Sequence, residues 1–114
     1  MLKKFLIHEH DKDPVGELVY DTDKSEFTLK AYENVKPTEM PAFMYFMLQE
    51  NKPIVSGDLA MCFVRERLVP PERANISQIL ADLQMPYYDE VLFLEKLHGR
   101  CVMDDFLVTP TYSC

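Results

Sequence analysis

The sequence predicts an α+β fold: a small antiparallel sheet from the N-terminal third plus the C-terminal strand, packed against about four α-helices. Three observations lead there. The first third reads as short strands, with apolar residues alternating with a period of two from Phe27 to Ala31. Beyond a proline-marked linker the period becomes 3.6. After Gly99 the extended pattern returns.

Lys3 to Glu9 ("KKFLIHE") is a short apolar run, and "HDKDPVG" behind it supplies turn chemistry through Pro14 and Gly16. "ELVYD" and "EFTLKAY" flank "TDKS", the pattern of a hairpin with a four-residue loop. In its second strand Phe27, Leu29 and Ala31 alternate with Thr28 and Lys30, so one face is buried and one wet. "NVKPTEMP" is the linker.

Pro41 suits the first position of a helix through Asn51, with Phe43, Phe46 and Met47 on one face. "VSGDLAMCFVRERL" reads as a second helix, capped by Ser56 or Asp58, with Leu59, Cys62 and Phe63 inward. Pro70 and Pro71 end it, because the residue before a proline avoids the helical region. Ile76, Ile79, Leu80 and Leu83 then fall at i, i+3, i+4 and i+7, the strongest amphipathic signal in the chain, so Ile79 and Leu80 are expected to be buried. The last helix has Asp89 as cap or first-turn acid and Gly99 as C-cap, with His98 beside the negative helix end. "RCVMDDFLVTP" completes the sheet.

These 114 residues make one domain, 1–114, large enough to fold without metal or disulfide. Hydrophobic content of 47% with 27% charge argues against disorder. A net charge of −7 opposes direct binding to a nucleic-acid backbone, yet suits a basic partner, including the nucleic-acid channel of another protein. Cys62, Cys101 and Cys114 are odd in number and widely spaced, unlike a zinc site or a disulfide framework; buried thiols in a reducing cytoplasm are expected, with Cys114 exposed at the terminus. "FLI" is too short an apolar run for a signal peptide, and nothing approaches a membrane span.

Candidate sites compete with plain structure. His8 and His10, at strand spacing, would hold a metal only with Asp11 or Asp13 and further ligands. "HGRCVMDD" gathers His98, Arg100, Cys101, Asp104 and Asp105, but sequence neighbours need not reach the geometry of a nucleophile and base. Asp104 and Asp105 would point to opposite faces of a strand. No catalysis, cofactor or metal is expected. Arg65, Arg67 and Arg73 surround the double proline as the densest basic group: either a solvated rim with local ion pairs or, with Tyr88 and Arg100, a protein-binding rim.

"VGELVYD", then "FVRERLVPPER", then "YDEVLFLEKLHGR" resembles the small N-terminal subdomain of HipA-type kinases. Gly16 and Leu18 match the family's first strand; Phe63, Leu68, Pro70, Glu72 and Arg73 match its proline turn; Asp89, Leu92, Leu94, Gly99 and Arg100 match its closing helix and turn. Cys101 stands where the family has an acid, and the kinase core is absent. The resemblance implies a non-enzymatic module comparable to the stand-alone, HipS-like antitoxin that restrains a separate kinase. The alternative, from the charge, is an acidic inhibitor from a phage or mobile element, its carboxylates standing in for phosphates.

Overall fold

The structure, a computed structural model, describes residues 1–68, 70–100 and 104–112. Five strands form one antiparallel sheet: β1 (Leu2–Glu9), β2 (Gly16–Asp21), β3 (Glu26–Ala31), β4 (Ile54–Ser56) and β5 (Phe106–Pro110), in the order β4-β3-β2-β1-β5. The helices are α1 (Ala42–Gln49), α2 (Asp58–Arg65), α3 (Ile76–Asp82) and α4 (Glu90–Leu97), with a 3₁₀ turn at Pro37–Glu39. The α+β class predicted from the sequence is the one observed.

Register follows from side-chain alternation. Pro110, Phe5, Leu18, Leu29 and Val55 lie side by side across the five strands, and Val108, Ile7, Gly16 and Ala31 form the next row. These rows carry the core. Slipping any strand by one residue would turn its buried set to water. On the opposite face Thr109, Leu6, Glu17, Lys30 and Ile54 align, and none of them is buried. Glu17 there accepts from Tyr32 Oη at 3.3 Å and pairs with Lys4 at 3.3 Å. The β2–β3 loop spans residues 22–25 as expected, closed by Asp21 Oδ1, which accepts from the backbone of Asp23 and Lys24.

Three helices pack against the sheet, α1 and α2 over β3 and α4 against β5. α1 enters through Gly16. A Cβ there would stand 2.2 Å from Met44 Cε and 2.6 Å from the Lys30 carbonyl oxygen, so Met44 fits only over a bare backbone. Met44 and Met47 are the buried residues of α1, while Phe43 is half-buried and Phe46 is 60% exposed. The expected inward face of Phe43, Phe46 and Met47 is thus rotated.

Neither Ser56 nor Asp58 caps the second helix; Gly57 between them is its N-cap. Ile54–Ser56 pair with β3 as a three-residue edge strand, Gly57 (φ 66°) turns the chain, and Asp58 opens α2. Ala60, Phe63 and Val64 face inward, whereas Leu59 and Cys62 are exposed. Cys62 is a free thiol; Cys101 and Cys114 lie outside the described residues. Asp89 caps α4 as predicted, accepting from Leu92 N at 3.1 Å. His98 (φ 57°) and Gly99 (φ 63°) reverse the chain beyond it, and the His98 carbonyl accepts from Val108 N at 2.7 Å, covering part of the β5 edge.

α3 departs most from expectation. Ile76, Ile79, Leu80 and Leu83 are only half-buried, and α3 has no fully buried residue. Met85, just beyond α3, and Phe93 of α4 are buried outside the principal cluster.

Two consequences follow for stability. Gly16→Ala should cost about 1–3 kcal/mol through overpacking against Met44 and Lys30. Leu94→Ala in the core should cost about 2–5 kcal/mol, and Ile79→Ala on α3 only about 1 kcal/mol. Urea denaturation of the three variants measures these differences; equal losses for Leu94→Ala and Ile79→Ala would contradict the burial described.

Candidate functional site

Arg67 is the one charged residue buried among the described residues, 6% exposed. The turn after α2, held by Arg67 N to Val64 O at 3.0 Å, aims its side chain at the start of β5. Nη1 donates to the carbonyls of Gly99 (3.0 Å) and Phe106 (3.2 Å), and Nη2 donates to Asp104 Oδ2 at 2.5 Å. Asp104 Oδ1 in turn accepts from Phe106 N at 3.0 Å. Cζ lies 5.2 Å from the Phe63 ring centroid, so the ring offsets part of the charge.

This removes Arg67 from the exposed partner-binding rim. Its guanidinium is drawn inward toward carbonyls presented by the turn after α4 and the start of β5. Arg67 Nε is buried and has no acceptor among the described residues. A buried donor without an acceptor costs about 1–3 kcal/mol. Arg67 also lines a groove of about 260 Å³ whose other walls include Met40, Phe43, Phe46, Phe106 and Glu66.

The other rim candidates are distributed as follows. Arg65 and Arg73 are exposed and make no ion pair among the described residues. Arg73 sits in the turn between the double proline and α3, held by its N–H to Pro70 O at 3.2 Å. Tyr88 is half-buried, its ring 4.9 Å from that of Phe93. Burial pushes the Tyr88 hydroxyl pKa upward, helped by Glu90 and Glu72 and opposed by Arg65. Arg65, Glu72 and Tyr88 therefore share one corner, with Tyr87 60% exposed beside them. Arg100 lines a different cleft, of about 480 Å³, with Glu9, His10, Asp104 and Asp105.

A larger cleft of about 730 Å³ shares Glu9 and adds Asp11, Asp13 and Glu39. Lys12 meets Glu9 there at 3.0 Å, and the hydrogen bond and charge of Glu9 raise its pKa. One end of the sheet is thus acidic, a feature that sequence order concealed because Glu39, Asp104 and Asp105 arrive from distant segments.

The histidine pair does not converge. β1 ends at Glu9, and Asp11 takes φ 60°, so His10 leaves the strand alternation. His8 Nδ1 lies 2.8 Å from Glu9 O and Nε2 lies 2.9 Å from Thr109 Oγ1, while the exposed His10 meets Asp11 at 3.2 Å. Among the described residues no group of three or more His, Cys, Asp or Glu side chains is arranged around a metal position. His98 occupies the C-cap of α4; Cys101, its candidate nucleophile partner, lies outside the described residues. Asp104 and Asp105 precede β5, and Asp104 is committed to Arg67.

Arg67→Ala should destabilise by roughly 3 kcal/mol or more, since Asp104 and two carbonyls lose their partner. Arg73→Ala should cost under about 0.5 kcal/mol. Chemical denaturation checks both; equal midpoints would refute the buried tie. Tyr32 and Tyr88 both have pKa values raised above the ordinary 10.0, chiefly by burial. The folded state holds these protons more tightly than the unfolded chain. Their stabilisation is complete below the ordinary value and is lost as pH rises through the raised ones. Ultraviolet titration should show Tyr32 and Tyr88 ionising late, and Tyr88→Phe should remove one of those steps.

No family model, curated protein or solved structure matches this chain.

Proposed function

We propose that this chain is a non-enzymatic protein-binding module, comparable to the HipA N-terminal subdomain, that regulates a partner such as a kinase. One observation carries the reading: an exposed corner that combines arginines without an ion pair among the described residues, tyrosines and a half-covered apolar helix face. Arg65 and Arg73 flank the double proline, Tyr87 and Tyr88 border it, and Ile76, Ile79 and Leu80 of α3 remain partly open. Tyr and Arg are the residue types most enriched as interface anchors. Pro70 and Pro71 stiffen the connection, which lowers the ordering cost of binding. The residues that carry the family resemblance include Pro70, Glu72 and Arg73 of this same corner.

The acidic end of the sheet favours a second reading, an inhibitor that covers a nucleic-acid-binding surface. Glu9, Asp11, Asp13 and Glu39 line one cleft there. Carboxylates so grouped attract the Lys and Arg residues that would otherwise hold phosphates.

Affinity capture from the native host, followed by titration of the recovered partner, separates the two. Arg65→Ala with Arg73→Ala should weaken the complex at least tenfold, about 1.4 kcal/mol, with the melting temperature unchanged. Asp11→Lys with Asp13→Lys should leave the complex intact. The reverse pattern, with a nucleic-acid-binding protein recovered, would establish the inhibitor reading instead.

A further inference from the structure

The two edges of the sheet are built differently. At β5, Thr111 N donates to the Lys4 carbonyl at 2.9 Å, so strand alternation turns Pro110, Val108 and Phe106 outward. Their outward groups are largely occupied. Phe106 N donates to Asp104 Oδ1 at 3.0 Å, Phe106 O accepts from Arg67 Nη1 at 3.2 Å, and Val108 N donates to the His98 carbonyl at 2.7 Å. Pro110 has no N–H to offer. This edge is closed to another strand.

The β4 edge is open. Ala31 N donates to the Pro53 carbonyl at 2.8 Å and Gly57 N donates to the Phe27 carbonyl at 3.2 Å, so Pro53, Val55 and Gly57 turn their backbone groups toward β3. Ile54 and Ser56 therefore present an N–H and a C=O each to the outside, with no hydrogen-bond partner among the described residues. Pro53 does not block the edge, because its missing donor lies on the β3 side. Ile54 is 56% exposed, where a protected edge commonly carries lysine.

These outward groups are self-complementary. Antiparallel pairing of two β4 strands about Val55 sets Ile54 of each copy opposite Ser56 of the other and matches every outward donor with an acceptor. Shifting the register in one direction would require the Lys52 N–H, already given to the Met47 carbonyl at 2.8 Å. Shifting it in the other would require Asp58, the first residue of α2. The matched register also sets Lys52 of each copy against Asp58 of the other. Both are exposed, and neither makes an ion pair among the described residues.

We propose that the β4 edge pairs with the β4 edge of a second copy of this chain, joining their sheets into one. Backbone hydrogen bonds of Ile54 and Ser56 hold the contact, and Lys52–Asp58 pairs close both ends. So short a strand makes the association weak and dependent on concentration. It uses neither Arg65 nor Arg73, so it goes beyond the binding corner.

Sedimentation velocity of the full chain from about 10 μM to about 1 mM should show a monomer giving way to a dimer. Over the same range the Ile54 and Ser56 amide hydrogens should gain protection from exchange. Ser56→Pro removes an outward donor without touching the β3 ladder, and should weaken the dimer at least tenfold with the monomer's melting temperature unchanged. Lys52→Glu and Asp58→Lys, both at exposed positions, should each weaken it at least threefold. An equimolar mixture of those two variants should restore association, because each end regains opposite charges. Arg65→Ala with Arg73→Ala should leave the dimer intact, so failure of this contact and failure of the corner are told apart. A chain that stays monomeric throughout, a dimer indifferent to Ser56→Pro, or a mixture no better than either variant alone would overturn the proposal. Protection of Ile54 and Ser56 that arises only when a different protein is added would make the edge a site for a foreign strand, and also overturn it.

Discussion

A guanidinium withdrawn from water binds together the parts of this molecule that the chain reaches last. Arg67 leaves the end of α2 and joins the Gly99 carbonyl beyond α4, the Phe106 carbonyl at the start of β5, and Asp104 between them. Burying such a charge is costly unless its hydrogen bonds are made. Four of its five N–H groups belong to the two terminal nitrogens, and these carry all of its contacts. β5 also depends on the turn that Arg67 grips, since Val108 N donates to the His98 carbonyl. Gly99 must be bare there, because a Cβ would lie 2.9 Å from Val108. The α4 terminus, the final strand and α2 are therefore one mechanical unit.

The same tie shapes the surface. Drawing Arg67 inward divides the basic group around the double proline: Arg65 and Arg73 stay in water while Arg67 forms part of a groove wall. Holding Asp104 against Arg67 leaves the adjacent Asp105 exposed near Glu9 and Arg100. One structural ion pair thus separates a cationic, aromatic corner from an acidic sheet end. A chain of net charge −7 thus still carries exposed arginines at one corner, apart from the carboxylates at the sheet end.

Local chemistry was readable where a residue's role depends on its immediate neighbours. The 22–25 hairpin loop, the Asp89 cap and the left-handed turn at Gly99 all follow from backbone preferences acting over a few residues. The buried alternation of Phe27, Leu29 and Ala31 is equally local, since a strand presents every second side chain to the same side. Three-residue β4 escaped notice because its pairing partner, β3, lies far away in the chain and its own pattern is too short to show a period.

The amino-acid sequence by itself determined the α+β class and the order of the longer elements, because these depend on periodicity and capping. Only the tertiary structure decided which apolar faces are covered. Helical spacing marks Ile76, Ile79 and Leu80 as a stripe, but burial requires an opposing surface, and α3 finds only a partial one. It also decided that Phe46 faces out while Met44 fills the space over Gly16. Arg67 shows the difference most directly. Beside Arg65 and Arg73 it reads as a third surface cation, and its role emerges only when Gly99, Asp104 and Phe106 are folded against it, supplying acceptors from residues more than thirty positions away.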